Sequence, residues 1–147
     1  MRAVVDTNVW LDLLVFDDPR IAPLAGALGS GALVVLATAP MLEEFADVIG
    51  RPRFAIDAAR REALVARQRA AVRLVEPAPD CRLACTDRDD QRFVDLAVAH
   101  RTDWLLSRDK ALLRLRRTAL RRFGLRIGTP EAWSAEAAPG GAPTPRL

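Results

Sequence analysis

Four short apolar runs, separated by longer segments of helical pattern, constrain the fold more than any other feature of this sequence. The runs lie at residues 3–5, 33–37, 104–106 and 125–127. The first three are continuously apolar, which is typical of strands that are buried on both faces, and the fourth holds Arg126 between two apolar residues. Parallel strands need long crossover connections, which are usually helical. The pattern therefore predicts an α/β fold with a central parallel sheet and helices on both faces.

The segments between these runs carry apolar residues at helical spacing. We predict helices at residues 21–28, 40–49, 57–75, 90–101 and 110–122. A chain of 147 residues, 50% of them hydrophobic, can form one compact domain without disulfides or a structural metal. We predict that this domain covers residues 1–133. Residues 134–147 (SAEAAPGGAPTPRL) lack large apolar side chains until the end, so we expect a disordered tail.

The apolar runs are far shorter than the roughly 18 residues that a membrane-spanning helix requires. We expect a cytoplasmic protein with no membrane partner, because the chain also opens directly on a strand-like segment. The net charge is +3, and eight basic residues between Arg108 and Arg126 face a single acid. Such a block is a candidate for binding phosphate groups, while the alternative is an ordinary solvated helix face.

Two aspartates stand at the ends of predicted strands. Asp6 follows the first strand in VVDTN, and Asp109 follows the third in WLLSRD. Ligands of open parallel sheets bind beyond the carboxyl ends of the strands. Either residue alone would more commonly cap a helix or occupy a turn, but the equivalent placement of the two favours a site.

The predicted helix that begins near Asp90 carries an acid on its apolar face. A helical wheel places Asp90 inside the apolar stripe and Asp95 on the opposite side of the helix. A carboxylate on a core-facing stripe must be paired, bound to a metal or neutral, although Asp90 could also cap the helix. We expect Asp87 and Asp89, which precede the helix, to be solvated.

The helix in MLEEFADVIG offers a fourth acid. Its apolar stripe centres near Phe45. Glu44 lies at the edge of that stripe and can reach a pocket beside the core, whereas Glu43 and Asp47 point away from it.

The four acids Asp6, Glu44, Asp90 and Asp109 together indicate a site that binds a cation, if they lie close to one another. Two carboxylates about 5 Å apart repel by about 3 kcal/mol at an effective dielectric constant of 20. Protons or a divalent cation must therefore balance a cluster of them. An all-carboxylate shell suits a hard ion such as Mg²⁺ or Mn²⁺, and the chemistry that follows is metal-assisted hydrolysis of a phosphodiester.

The motifs that hold these acids, VVDTNVW, MLEEFADVIGRPRF, DRDDQRFVDLA and LLSRDKALL, resemble in order and spacing those of the PIN-domain nucleases. The pattern is most similar to the toxins of bacterial toxin–antitoxin pairs of the VapC type. The resemblance covers residues 1–133 and implies a three-layer α/β/α sandwich around a parallel sheet.

The resemblance also implies a site and its partners. The four acids become ligands of one or two Mg²⁺ or Mn²⁺ ions in a ribonuclease that leaves a 5′-phosphate and a 3′-hydroxyl. A cognate antitoxin and a homodimer are expected in addition to RNA. Residues implied to assist the metal shell or contact substrate are Thr7, Asn8, Ser107, Arg108 and Lys110. Asp87 or Asp89 could replace Asp90, and Gln91 stands where many relatives carry a further acid.

Other readings of the sequence remain open. An aspartyl-phosphate phosphatase would carry an aspartate where this chain has Asn8, and in a receiver domain a lysine would follow a different element boundary from that of Lys110. A soft metal site at Cys81 and Cys85 lacks ligands, since His100 is the only histidine. A PIN-like RNA- or protein-binding module with weak catalysis, or an RNA-processing nuclease without an antitoxin, are the alternatives to a toxin.

Overall fold

A computed structural model describes residues 1–137 of the chain. Its centre is a five-stranded, fully parallel sheet in the order β3-β2-β1-β4-β5. The strands are β1 (Arg2–Val5), β2 (Val34–Ala37), β3 (Val72–Leu74), β4 (Trp104–Leu106) and β5 (Arg126–Gly128). The helices are α1 (Thr7–Leu14), α2 (Ala22–Ser30), α3 (Ala39–Ile49), α4 (Ala58–Ala71), α5 (Gln91–Ala99), α6 (Lys110–Leu113), α7 (Arg116–Phe123) and α8 (Pro130–Ala137).

The two faces of the sheet bury separate apolar cores. Successive residues of a strand point to opposite faces, so Ala3 and Val5 pack with α1, α2, α4 and α8, whereas Val4 packs with α5, α6 and α7. The aromatic side chains Trp10 and Trp133 fill the first core, and Phe93 fills the second. This arrangement confirms the predicted three-layer α/β/α sandwich.

The local sequence explains several helix boundaries. The Thr38 hydroxyl accepts a hydrogen bond from the Met41 N–H at 3.4 Å and caps α3, with Pro40 in the first turn. The Asp57 carboxylate caps α4 in the same way through the Arg60 N–H at 2.7 Å. Gly124 ends α7 with φ of +67°, a left-handed conformation that favours glycine.

The four predicted strands are confirmed, but two predicted helices between them need correction and one helix was missed. The helix predicted at 57–75 ends at Ala71, where the chain enters β3, the half-exposed edge strand. The helix predicted at 110–122 divides into α6 and α7 at Arg114 and Leu115. The helix α1 was not predicted, because its apolar residues directly follow an apolar strand and hide the change of period.

The predicted tail is wrong for residues 134–137. They continue α8, which docks on the core because Trp133 is buried and its Nε1–H donates to the Met1 sulfur at 3.3 Å. Ala137 packs against the same core. The rest of the predicted tail, residues 138–147, lies outside the described residues. No helix within residues 1–137 combines the length and apolar character needed to cross a membrane.

Candidate metal centre

The strand order places a crevice at the carboxyl ends of β1 and β4. From β1 the sheet continues through β2 to one edge, and from β4 it continues through β5 to the other. The helices that follow β1 and β4 pack on opposite faces of the sheet, so the two connections diverge. The strands are held in register there by the Asp6 N–H, which donates to the Leu106 carbonyl at 2.9 Å. Such a divergence point is where ligands of open α/β sheets bind.

Asp6 lies at the floor of this crevice. It occupies the N-cap position of α1, yet its carboxylate makes no capping hydrogen bond to that helix. Its Oδ2 instead accepts from the Ser107 hydroxyl at 2.7 Å. Burial raises the pKa of Asp6 above the ordinary value, and the charges of Asp109 and Glu44 add to the rise against the opposing Ser107 hydrogen bond. The alternative role of a simple helix cap is therefore not the one that Asp6 adopts.

Ser107 joins the acid of β1 to the acid of β4. It is fully buried, and its hydroxyl oxygen accepts from the Asp109 N–H at 2.9 Å while its proton goes to Asp6. Asp109 uses Oδ1 to cap α6 through the Ala111 N–H at 2.8 Å. This bond engages one of the two carboxylate oxygens of Asp109, and its carboxylate is also close enough to Asp90 to raise the pKa of that residue.

Asp90 reaches the same place from the start of α5. Its carboxylate makes no cap hydrogen bond, and its Oδ2 is buried without a hydrogen-bond partner within the described part of the chain. Burial, followed by the charges of Asp6 and Asp109, raises the pKa of Asp90 to about 7. An unpartnered carboxylate oxygen in a buried position is costly, and a proton or a cation relieves that cost.

Asp87 is exposed, as expected, but it also belongs to the acidic cluster, which the sequence did not predict. Oxygen atoms of Asp87, Asp90 and Asp109 all lie within 4.8 Å of one another. A 3-10 turn at Arg88–Asp90 begins at Asp87, and this turn brings two side chains three positions apart to one side. Asp89 does not belong to the cluster; its N–H donates to the Asp87 carboxylate at 2.9 Å.

Glu44 approaches from α3 on the side of Asp6. Its Oε2 accepts from the Thr7 hydroxyl at 2.7 Å, and its Oε1 lies 3.8 Å from the Arg92 guanidinium. Glu44 is half-buried whereas Glu43 is exposed, as the helical wheel predicted. Thr7 is thereby placed between α1 and α3 as a positioning group, while Asn8 is exposed.

The structure does not bring Arg108 into the crevice. Its Nε donates to Asp12 at 2.7 Å, and its two terminal nitrogens bind the Glu131 carboxylate at 2.8 and 2.7 Å. The paired acids raise the pKa of Arg108, and Arg108 lowers the pKa of Glu131. This bidentate pairing ties α1 to α8. Lys110, the neighbouring predicted substrate contact, is exposed at the start of α6.

The helical-wheel prediction for Asp95, on the other side of α5, is wrong. The prediction placed it away from the core, but it is buried because residues 81–85 cover that side of the helix. Its Oδ1 accepts from the Cys81 N–H at 3.1 Å and from Gln91 Nε2 at 2.9 Å. Gln91 also accepts from the Cys85 N–H at 2.7 Å. These two polar side chains hold the covering segment in place, which no local periodicity signals.

A second group of possible ligands, Asp80, Cys81 and Asp95, lies beside this segment. Burial raises the pKa of the Cys81 thiol to about 11, so the thiol is protonated at neutral pH and is a poor metal ligand. Asp95 is already engaged by the two hydrogen bonds of the covering segment. This arrangement favours a structural role for Asp95.

The donors in the crevice fit a hard divalent cation. They are the clustered carboxylate oxygens of Asp87, Asp90 and Asp109, with Asp6 and Glu44 adjacent, and the buried Asp90 Oδ2 lacks any partner within residues 1–137. No basic side chain is ion-paired with Asp6, Asp87, Asp90 or Asp109 in that part of the chain. Oxygen donors with a surplus of negative charge are the ligand set that Mg²⁺ and Mn²⁺ prefer.

A family comparison agrees with this geometry. The model of the PIN domain matches residues 2–111, which include every acid of the crevice. The chain therefore belongs to the PIN-domain family. PIN domains are generally nucleases and typically use a divalent metal.

A solved structure shows the same fold at low sequence identity. The crystal structure of VapBC2 from Rickettsia felis, bound to a DNA fragment from its promoter, matches with a TM-score of 0.59 and 9% identity. The match covers 86% of this chain and 97% of the other. Among curated proteins no significant match is found.

Proposed function

We propose that the protein is an Mg²⁺- or Mn²⁺-dependent endoribonuclease and the toxin of a toxin–antitoxin pair. The observation that carries the proposal is the crevice itself. Carboxylate oxygens of Asp87, Asp90 and Asp109 lie within 4.8 Å of one another, Asp6 lies close enough for its charge to act on Asp90, and none of the four is paired with a cation in residues 1–137. Membership of the PIN family supports hydrolysis of a phosphodiester.

In such a site some residues would hold the ion and others would orient those ligands. Asp6, Asp90 and Asp109 would hold the ion, with Asp87 beside them and Glu44 completing the shell. Ser107 fixes the Asp6 and Asp109 carboxylates relative to each other, and Thr7 orients Glu44. An ion bound there supplies Lewis-acid activation of water and of the phosphodiester oxygens. The crowded carboxylates also repel the RNA backbone in the absence of the ion, which makes substrate binding in the crevice depend on the metal.

The toxin assignment draws on the resemblance to VapC-type proteins and on the structural neighbour, a VapBC2 toxin–antitoxin complex. A cognate antitoxin and a homodimer belong to the same proposal. A small DNA-binding protein encoded in the neighbouring reading frame would favour the toxin, and an isolated gene would favour an RNA-processing nuclease. Size-exclusion chromatography with light scattering measures the predicted dimer.

The decisive experiment is cleavage of a single-stranded RNA by purified protein with Mg²⁺, with Mn²⁺ and with EDTA. Asp6→Asn removes a charged ligand without changing side-chain volume, and we expect it to lower metal-dependent cleavage by about a hundredfold or more. Asp89→Asn, at an exposed acid outside the cluster, is the matched control and should retain activity. Full activity of a folded Asp6→Asn variant would contradict the proposed metal centre. RNA binding without cleavage by the wild type would favour the non-catalytic module instead.

A further inference from the structure

A basic pocket lies beside the crevice, on the β5 side. It is an open depression of about 290 Å³, lined by Lys110, Leu113, Arg114, Arg116 and Arg117. Lys110 directly follows Asp109, so the pocket opens from the same connection that delivers an acid to the crevice. The remaining arginines come from the turn between α6 and α7 and from the first turn of α7.

The cations of this pocket have no acidic partners. None of the four forms an ion pair within residues 1–137, whereas Arg108 and Arg126 nearby are paired with Glu131 and Glu136. Four like charges around one small cavity repel one another and attract a polyvalent anion. Arginine forks match the oxygen atoms of a phosphate group, and a lysine adds a further donor.

An apolar groove continues from the basic pocket. It has a volume of about 550 Å³ and shares Leu113, Arg116 and Arg117 with the pocket. Its remaining wall is largely apolar and includes Trp104, Leu120 and Ile127. A cavity of this size with a mainly apolar lining is typical of sites for small organic groups.

The edge strand β5 gives the groove a polar feature. Arg126 and Gly128 bond to the residues that flank β4: the Arg126 N–H donates to the Asp103 carbonyl, and the Gly128 carbonyl accepts from the Ser107 N–H. Alternate residues of a parallel edge strand direct their N–H and C=O groups away from the neighbouring strand, so those of Ile127 face the open edge. A donor and an acceptor on one residue can read the edge of a nucleobase.

We propose that the basic pocket and the apolar groove together form a subsite for one nucleotide of the RNA, away from the bond that is cleaved. The phosphate occupies the basic pocket and the base occupies the groove. This inference rests on the proposed ribonuclease function and adds to it a second anchoring point for the substrate. An acidic peptide would also be attracted to the arginines, but a cluster of four cations around one cavity is matched better by one phosphate than by carboxylates spaced along a chain.

The test of the phosphate half measures RNA binding rather than cleavage. Fluorescence anisotropy in EDTA follows a labelled eight-nucleotide single strand bound to wild-type protein, Arg117→Ala and Arg121→Ala. Arg121 is exposed on the same helix but lines neither cavity, so it is matched in charge and position. We expect Arg117→Ala to weaken binding about tenfold and to lower the salt slope by about 0.7. Equal losses of RNA affinity in the two variants would overturn the assignment of the basic pocket as a phosphate site.

The base half is tested with a change that adds no charge. Ala132 is exposed and lines the groove, so Ala132→Leu fills it, whereas Ala99→Leu on α5 is the control. We expect Ala132→Leu to weaken binding of the normal strand several-fold and to leave an abasic strand unaffected. Abasic RNA that binds as tightly as normal RNA, or displacement of the RNA by a peptide of alternating glutamate and leucine, would overturn the assignment. If the wild type shows no metal-dependent cleavage, the ribonuclease function is refuted. The difference in RNA binding between Arg117→Ala and Arg121→Ala would still test the subsite, because that assay does not depend on cleavage.

Discussion

Two sets of acids at the same end of the sheet differ in whether a cation is paired with them. Asp12 and Glu131 are both bound by Arg108, with nitrogen–oxygen distances of 2.7 to 2.8 Å. Asp90 and Asp109, by contrast, have no cation paired with them in residues 1–137. Arg108 and Asp109 are consecutive in the chain, yet each belongs to a different set. Acids with a guanidinium partner connect elements of the fold, and acids left with only one another form the proposed metal centre.

The sharpest way to break this comparison is to remove one acid from each set. Asp90→Asn should abolish metal-dependent cleavage, by about a hundredfold or more, and should leave the metal-free protein as stable or more stable, because a repelling charge is lost. It should also weaken stabilisation by Mg²⁺ or Mn²⁺, which arises from binding to the folded state alone. Thermal-shift titrations with each ion measure both effects.

Asp12→Asn is the counterpart in the paired set. It should lower the melting temperature and keep the metal response, because it removes a partner of Arg108 and no donor of the crevice. A metal response that survives in Asp90→Asn, or that disappears in Asp12→Asn, would mean that the ion binds elsewhere.

Glu44 and Glu43 provide a comparison within one turn of α3. Glu44→Gln should reduce cleavage about tenfold, because the half-buried carboxylate faces the crevice and is oriented by Thr7. Glu43→Gln should leave the rate near that of the wild type, since Glu43 is exposed. Cleavage rates at saturating Mg²⁺ decide between them, and the reverse order would show that the crevice opens on the other side of α3.

The ion pairs of Arg108 with Asp12 and Glu131 should affect the stability of the protein and not its cleavage activity. Arg108→Met keeps much of the side-chain stem but leaves Asp12 and Glu131 without their cation, so we expect a loss of about 1 to 2 kcal/mol in the free energy of unfolding. Arg121→Met, which removes an exposed charge, is the control. Urea denaturation of the two variants measures the difference, and an unchanged midpoint for Arg108→Met would make this ion pair incidental.

The acidic set should also make the metal-free protein sensitive to pH. The folded pKa of Asp90, about 7, is above its ordinary value of 3.8, so between these values the folded state holds a proton that the unfolded state has released. Stability from this group is therefore present at acidic pH and declines as the pH rises through 7. Melting temperatures in EDTA from pH 5 to 8 should fall for the wild type and fall less for Asp90→Asn. Parallel profiles would contradict a buried, proton-holding Asp90.

The sequence predicts four of the five strands and the positions of the acids from local patterns, while the role of those acids as metal ligands stays a prediction. Asp6 and Asp109 are identified by the apolar strands before them, and the burial of Asp90 by its helical stripe. Strand β3 was missed because it continues a helical segment and its Arg73 and Leu74 are exposed. Its strand character comes from pairing with β2, which lies far away in the sequence.

Other features depend on contacts that no local pattern encodes. Arg108 is committed to Asp12, which lies 96 positions earlier in the chain. Asp87 joins the cluster because a 3-10 turn precedes α5, and Asp95 is buried because a loop folds over it. Spacing along the chain does not distinguish these outcomes from a solvated surface.

The hydrogen bond between Ser107 and Asp6 spans 101 positions of the chain. During synthesis the first strand leaves the ribosome early, but its partner β4 and the acid beyond it emerge only after most of the chain has been made. A nascent or prematurely terminated product that stops before residue 104 has neither the second wall of the crevice nor Asp109. The order of translation thus keeps an incomplete chain from assembling the crevice, and the proposed hydrolytic activity would begin only when the domain is nearly finished.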